Sequence, residues 1–200
     1  MDMKKVVIVL VGGFVLLAAV MLPNRAVQYG PGVTAPVEPV QVNLETPDSF
    51  EHGDYTITRL AKFQINAKVL SRKKYRWDRG ASVSPIDLAL GWGPMSDEKV
   101  LEAIDISQSG RWYHWRTDAF PIPRRQIETN SANMHMIPAN DQIRKRLGKV
   151  RKGQLVSIEG YLVQLKGNDG LRWKSSLTRQ DTGDASCELV YVHKVAFPQP

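Results

Sequence analysis

The longest uninterrupted apolar run is residues 6–22, preceded by Lys4 and Lys5 and closed by Pro23. It predicts a helix about 25 Å long, close to the thickness of a bilayer core. Beyond it the pattern changes to alternation, the mark of half-buried strands. Tyr55, Ile57 and Arg59 alternate with Thr56, Thr58 and Leu60, and Phe63, Ile65, Ala67 and Val69 alternate with mostly polar neighbours. Ile86 to Leu90 is apolar except for Asp87. Further strands are expected at 111–116, at 155–165 with Gly160 inside it, at 171–177 and at 188–195. Helical spacing is confined to two short pieces. One begins at Ser96 and Asp97, and the other covers 141–148 with Ile143 and Leu147 on one face.

These elements give a mostly β fold, a small OB-like barrel with one or two short helices, preceded by a single N-terminal transmembrane helix. The expected organisation is a cytoplasmic stretch at 1–5, an anchor or signal peptide at 6–22, a linker at 23–44 and a β-barrel domain at 45–197. Pro23, Pro31, Pro36, Pro39 and Pro47 mark the linker as extended. The positions before Ala19 and Ala26 offer no small-x-small cleavage site, which favours an uncleaved anchor. The two N-terminal lysines hold their end in the cytoplasm. The folded part is therefore expected in the periplasm, on a single pass through the bacterial inner membrane.

Composition narrows the chemistry. The chain has 200 residues and one cysteine, Cys187, which excludes a disulfide scaffold and cysteine-based zinc sites. Lys and Arg outnumber Asp and Glu by 27 to 20, a formal charge of +7. That excess permits a nucleic acid, an anionic lipid or an acidic protein as partner without choosing among them. The four histidines, His52, His114, His135 and His193, have no ligand-spaced neighbours, and no phosphate-binding or dinucleotide glycine motif occurs. No metal and no cofactor are expected.

Leu147 to Leu162 reads LGKVRKGQLVSIEGYL. A Lys152-Gly153 turn launches a strand with Val156 and Ile158 on one face, and Gly160 permits a sharp bend. This stretch resembles the fourth-strand region of OB-folds, including single-stranded-DNA-binding proteins. DLALGWGPMSD (87–97), RWYHW (111–115), SANMHMIPAN (131–140) and WKSSLTRQDTGDASCE (173–188) resemble a family of uncharacterised membrane-anchored bacterial proteins with an OB-like domain. That resemblance brings no activity with it.

Residue chemistry then supplies candidate sites. Rings interleaved with cations can stack on bases or sugars and pair with phosphate. Arg111, Tyr113 and Trp115 share one face of their strand, and Trp173 and Lys174 lie on another. Trp112, His114 and Arg116 take the opposite face. One of the two faces must enter a core. His135, between two methionines, is expected in the core with Asn133 or Asn140 as its hydrogen-bond partner. Arg144, Lys145, Arg146, Lys149, Arg151 and Lys152 form a basic patch around the second helix. DTGDAS (181–186) reads as a hairpin turn rather than a protease loop. Cys187 reads as a buried thiol, and Ser175 and Ser176 have no base near in sequence.

Together these point to a non-catalytic docking subunit of an envelope assembly, with an envelope protein as its partner. The alternatives are an oligonucleotide or oligosaccharide binder, with a part in DNA uptake or transfer, and a hydrolase built around His135.

Overall fold

The computed structural model describes residues 25–178 and 187–199. Nine strands dominate the described residues: β1 (Val40–His52), β2 (Tyr55–Lys74), β3 (Ile86–Gly91), β4 (Asp105–Ser109), β5 (Trp112–Arg116), β6 (Ser131–Pro138), β7 (Leu155–Gly167), β8 (Arg172–Lys174) and β9 (Glu188–Ala196). Three short helices, α1 (Glu98–Leu101), α2 (Arg124–Thr129) and α3 (Asp141–Leu147), lie between them, with a 3-10 turn at Gly93–Ser96. The anchor expected at 6–22 and the turn expected at 181–186 lie outside the described residues. No helix among the described residues is long and apolar enough to cross a membrane.

Five strands close a ring in the order β2-β3-β6-β9-β7 and back to β2. All neighbours are antiparallel except β6 and β9, which run parallel. β2 is long enough to serve three partners. Its first half pairs β1, its second half pairs β3, and β7 follows it from Tyr55 to Lys68. The two alternating runs expected at 55–60 and 63–69 are thus one strand, with a register shift between Arg59 and Ala61 against β7. A second shift, between Glu159 and Gly160, bends β7 against β9. At Gly160 a Cβ would overlap the Tyr191 carbonyl oxygen, so the expected bend rests on a close backbone approach.

Alternation sorts β3 and β6 into two faces. Leu88, Leu90, Met134 and Met136 point into the ring, where they meet Phe63, Ile65, Val156, Ile158, Leu162, Val190 and Val192. Helix α3 lies between β6 and β7 in sequence and buries Ile143 and Leu147 in this core, as its spacing predicts. Asn140 caps it, accepting from Ile143 N–H at 3.0 Å. The other face of β3 and β6 carries Asp87, Ala89, Asn133 and His135, all buried. A separate two-stranded sheet, β4-β5, and helix α2 pack beside this face. Met95, Ile104 and Ile127 form a further core there with Ala89 and Leu70.

Part of the proline-rich segment is not free. Val27 N–H donates to Lys152 O at 2.8 Å, and Tyr29 N–H donates to the Glu98 carboxylate at 3.3 Å. Ser96 Oγ accepts from the backbones of both Thr34 and Ala35. Beneath this strap Lys68, 1% exposed, pairs with Glu98 at 2.6 Å and faces the Tyr29 ring. Strand β1 begins at Val40, inside the stretch expected as linker. Extended proline-rich chain and edge strand both lie in the broad extended region of backbone space, so composition could not separate them.

Candidate binding site

The site is built where β3 and β6 lie side by side. Asp87 and His135 are direct cross-strand partners, as are Ala89 and Asn133. A carboxylate with no exposure needs a cation, and Arg111 supplies it. Arg111 sits in the two-residue turn between β4 and β5, with φ of 56° at Gly110 and 72° at Arg111. Two successive positive φ values are the geometry of a tight hairpin. Arg111 is the one non-glycine among the described residues with positive φ.

The side chain explains why an arginine is held there. Its Nη1 donates to Asp87 Oδ1 and to Ser84 O, both at 2.9 Å, and Nη2 donates to Asp78 Oδ1 at 2.6 Å. The guanidinium lies 3.7 Å from the Tyr75 ring centroid and 5.5 Å from that of Trp173. The backbone is held too. Arg111 N–H donates to Tyr75 Oη at 3.1 Å, and Asn133 Nδ2 donates to Arg111 O at 2.9 Å. Gln108 Nε2 completes the chain by donating to Asn133 Oδ1 at 2.7 Å. Burial and the neighbouring Asp87 carboxylate push the Tyr75 hydroxyl up to about 12, so it stays a neutral donor and acceptor.

His135 Nδ1 lies 2.9 Å from Asp87 Oδ1, and its ring packs on Trp173 with centroids 4.4 Å apart. The expected partners were Asn133 and Asn140. Asn133 is committed to Arg111 and Gln108, and Asn140 caps α3. The cross-strand register puts His135 beside Asp87, although Nδ1 makes no hydrogen bond among the described residues, and that register is not visible in local sequence. Cys187 is half-buried, and burial pushes its thiol up to about 11, so at neutral pH it is protonated and a poor nucleophile. Ser175 Oγ accepts from Leu189 N–H and donates to Ser176 O, a structural role.

Next to this clamp lies a cleft of about 540 Å³ between β5, α2, the start of β6 and residues Cys187 and Glu188. Trp112, Trp115, Phe120, Arg116, Arg124 and Glu128 line it. Tyr113 and Trp115 are the half-buried face of β5 and pack on the core under the hairpin. Tyr113 also shares a hydrogen bond with Ser131 Oγ at 2.7 Å. Trp112, His114 and Arg116 are the exposed face. Arg124 pairs with Glu128 at 2.8 Å and leans over the Trp115 ring. Trp92 reaches the cleft while 1% exposed, and its indole N–H has no acceptor among the described residues. Such a cavity has the size and mixed lining of ordinary ligand clefts.

The residues singled out by sequence therefore divide. Arg111, His135 and Trp173 meet in the clamp, and Tyr113 and Trp115 are in the cleft wall. Lys174 is exposed on the short edge strand β8, which covers only part of the expected 171–177 run, and it lines neither clamp nor cleft. None of the six residues of the basic patch lines the cleft. Asp87, Asp78 and Tyr75 complete the clamp and were missed as site residues. The available signal was the lone carboxylate in an otherwise apolar strand. No group of three or more His, Cys, Asp or Glu placed to hold a metal occurs among the described residues. No protein-family model, curated protein or solved structure matches this chain.

Proposed function

We propose that this chain is a non-catalytic docking subunit. In this reading its OB-like barrel is held on the periplasmic side of the inner membrane by residues 6–22, and a segment of an envelope protein binds in the Trp112–Arg116 cleft. The supporting observation is the cleft itself. It combines exposed Trp and Arg, the side chains richest in protein hot spots, with a Glu128 carboxylate already paired to Arg124. The OB-like reading draws on the strand order, the parallel β6–β9 pair and the helix between β6 and β7. The Asp87–His135 pair gives little support to hydrolysis, because both side chains are sealed and the carboxylate is neutralised by Arg111.

The test uses native membranes extracted in mild detergent. The full chain is expected to migrate on a native gel with a partner, and the equally stable Trp112→Ala/Arg116→Ala chain to migrate alone. Identical migration of the two would refute the reading. Arg116 beside two indoles also favours a second reading, a single-stranded nucleic acid. Tryptophan quenching that saturates with oligonucleotide and weakens steeply with salt would establish that reading in place of the first.

A further inference from the structure

We infer that the basic turn at Lys149, Arg151 and Lys152, together with Arg25 and Lys145, is a docking surface for anionic lipid headgroups, and that it fixes the domain's orientation on its own membrane. The inference rests on the anchor reading above and concerns a different surface from the cleft. The observation that carries it is the hydrogen bond from Val27 N–H to Lys152 O at 2.8 Å. Gly153, with φ of 81°, lets the strap lie against this turn, where a Cβ would overlap the Val27 carbonyl oxygen. Tyr29 Oη then accepts from Leu155 N–H at 3.3 Å. The chain leaving the apolar run is thus tied to the basic turn at its first opportunity.

Chain length sets the distance. Leu22, the last residue of the apolar run, is five residues before Val27. Fully extended, those residues span at most about 18 Å. The headgroup layer accounts for roughly 5–7 Å of that span. The basic turn is therefore kept within about two Debye lengths of the headgroups, and any slack in residues 23–26 brings it closer.

The cations are available. Arg25, Lys145, Lys149 and Lys152 are exposed, and none of these four, nor Arg151, makes an ion pair among the described residues. In the groove beside Val27 and Lys152 the carboxylates are Glu98, already neutralised by Lys68, and Glu102. The surface is left positive, and an array of lysines near a membrane suits diffuse headgroup charge.

The test places the full chain in nanodiscs of phosphatidylcholine alone or mixed with phosphatidylglycerol. An amine-acetylating reagent is applied, and each lysine is followed by mass spectrometry. Lys149 and Lys152 are expected to label about fivefold more slowly in the anionic discs, with the difference abolished at 1 M salt, where screening is nearly complete. Lys166, exposed at the end of β7, should label at one rate throughout. Equal labelling of Lys149 and Lys152 in both discs, with the chain firmly inserted, overturns the inference and leaves the anchor intact. A chain that does not insert overturns both. Protection by added oligonucleotide but not by anionic lipid also overturns it and gives the patch to nucleic acid.

Discussion

Arg111 holds a left-handed backbone conformation that costs an ordinary side chain about 1–3 kcal/mol. Its guanidinium offsets that cost by neutralising Asp87, which has no exposure, and by bridging to Asp78 and Ser84. Arg111→Ala leaves Asp87 buried without its guanidinium partner, and should destabilise the domain by about 3 kcal/mol in urea unfolding. Arg111→Gly keeps the turn unstrained and should recover about 1 kcal/mol of that loss. Equal stability for all three chains would show that the clamp is ornamental. Cys187 gives a second residue-scale test. With its thiol near 11 instead of its ordinary value of 9.0, alkylation at pH 8 should run about a hundredfold slower than for a free cysteine. The rate should rise about tenfold per pH unit up to that value, whereas fast alkylation at pH 8 would place the thiol in water. The sequence displayed Asp87 as an exception in an apolar run and His135 as a core histidine. It hid their pairing, because register across β3 and β6 is a property of two segments 48 positions apart.

At the scale of elements, local pattern was most informative where an element is amphipathic. Helix α3 and strands β2, β3, β7 and β9 follow their apolar periods. Asn140→Ala should cost about 1 kcal/mol by uncapping α3, read as a lower midpoint with an unchanged urea slope. Gly160→Ala should cost more, roughly 3 kcal/mol, because the new methyl meets the Tyr191 carbonyl across the β7–β9 bulge. If Gly160→Ala proves as stable as the parent, the close approach of β7 to β9 is not there. Periodicity was less informative for β1, where proline composition suggested a linker while Val40 to Asn43 pair with Ala61 to Gln64. It was also silent on α2, whose six residues begin after Pro123 and bury one side chain, Ile127. The aromatic strand β5 could be assigned two faces from sequence but not which one is covered. The third core, under Tyr113 and Trp115, settles that.

At the scale of the whole molecule, the ring supplies the rigid frame, while the β4-β5 insertion supplies the cleft and the arginine that fastens it. The strap ties Val27, Tyr29 and Ala35 to the same frame, so a membrane anchor at 6–22, as proposed, would limit how far the basic turn can stray from the membrane. The cleft beside Trp112 is proposed to receive a protein. The most direct test is a photo-crosslinking amino acid at position 112 of the full chain, activated in native membranes and compared with position 166. One discrete protein adduct from 112, absent from 166 and reduced about tenfold by Arg116→Ala, is the predicted result. Adducts from 166 equal to those from 112, or none from 112 while the chain is folded and inserted, would contradict it.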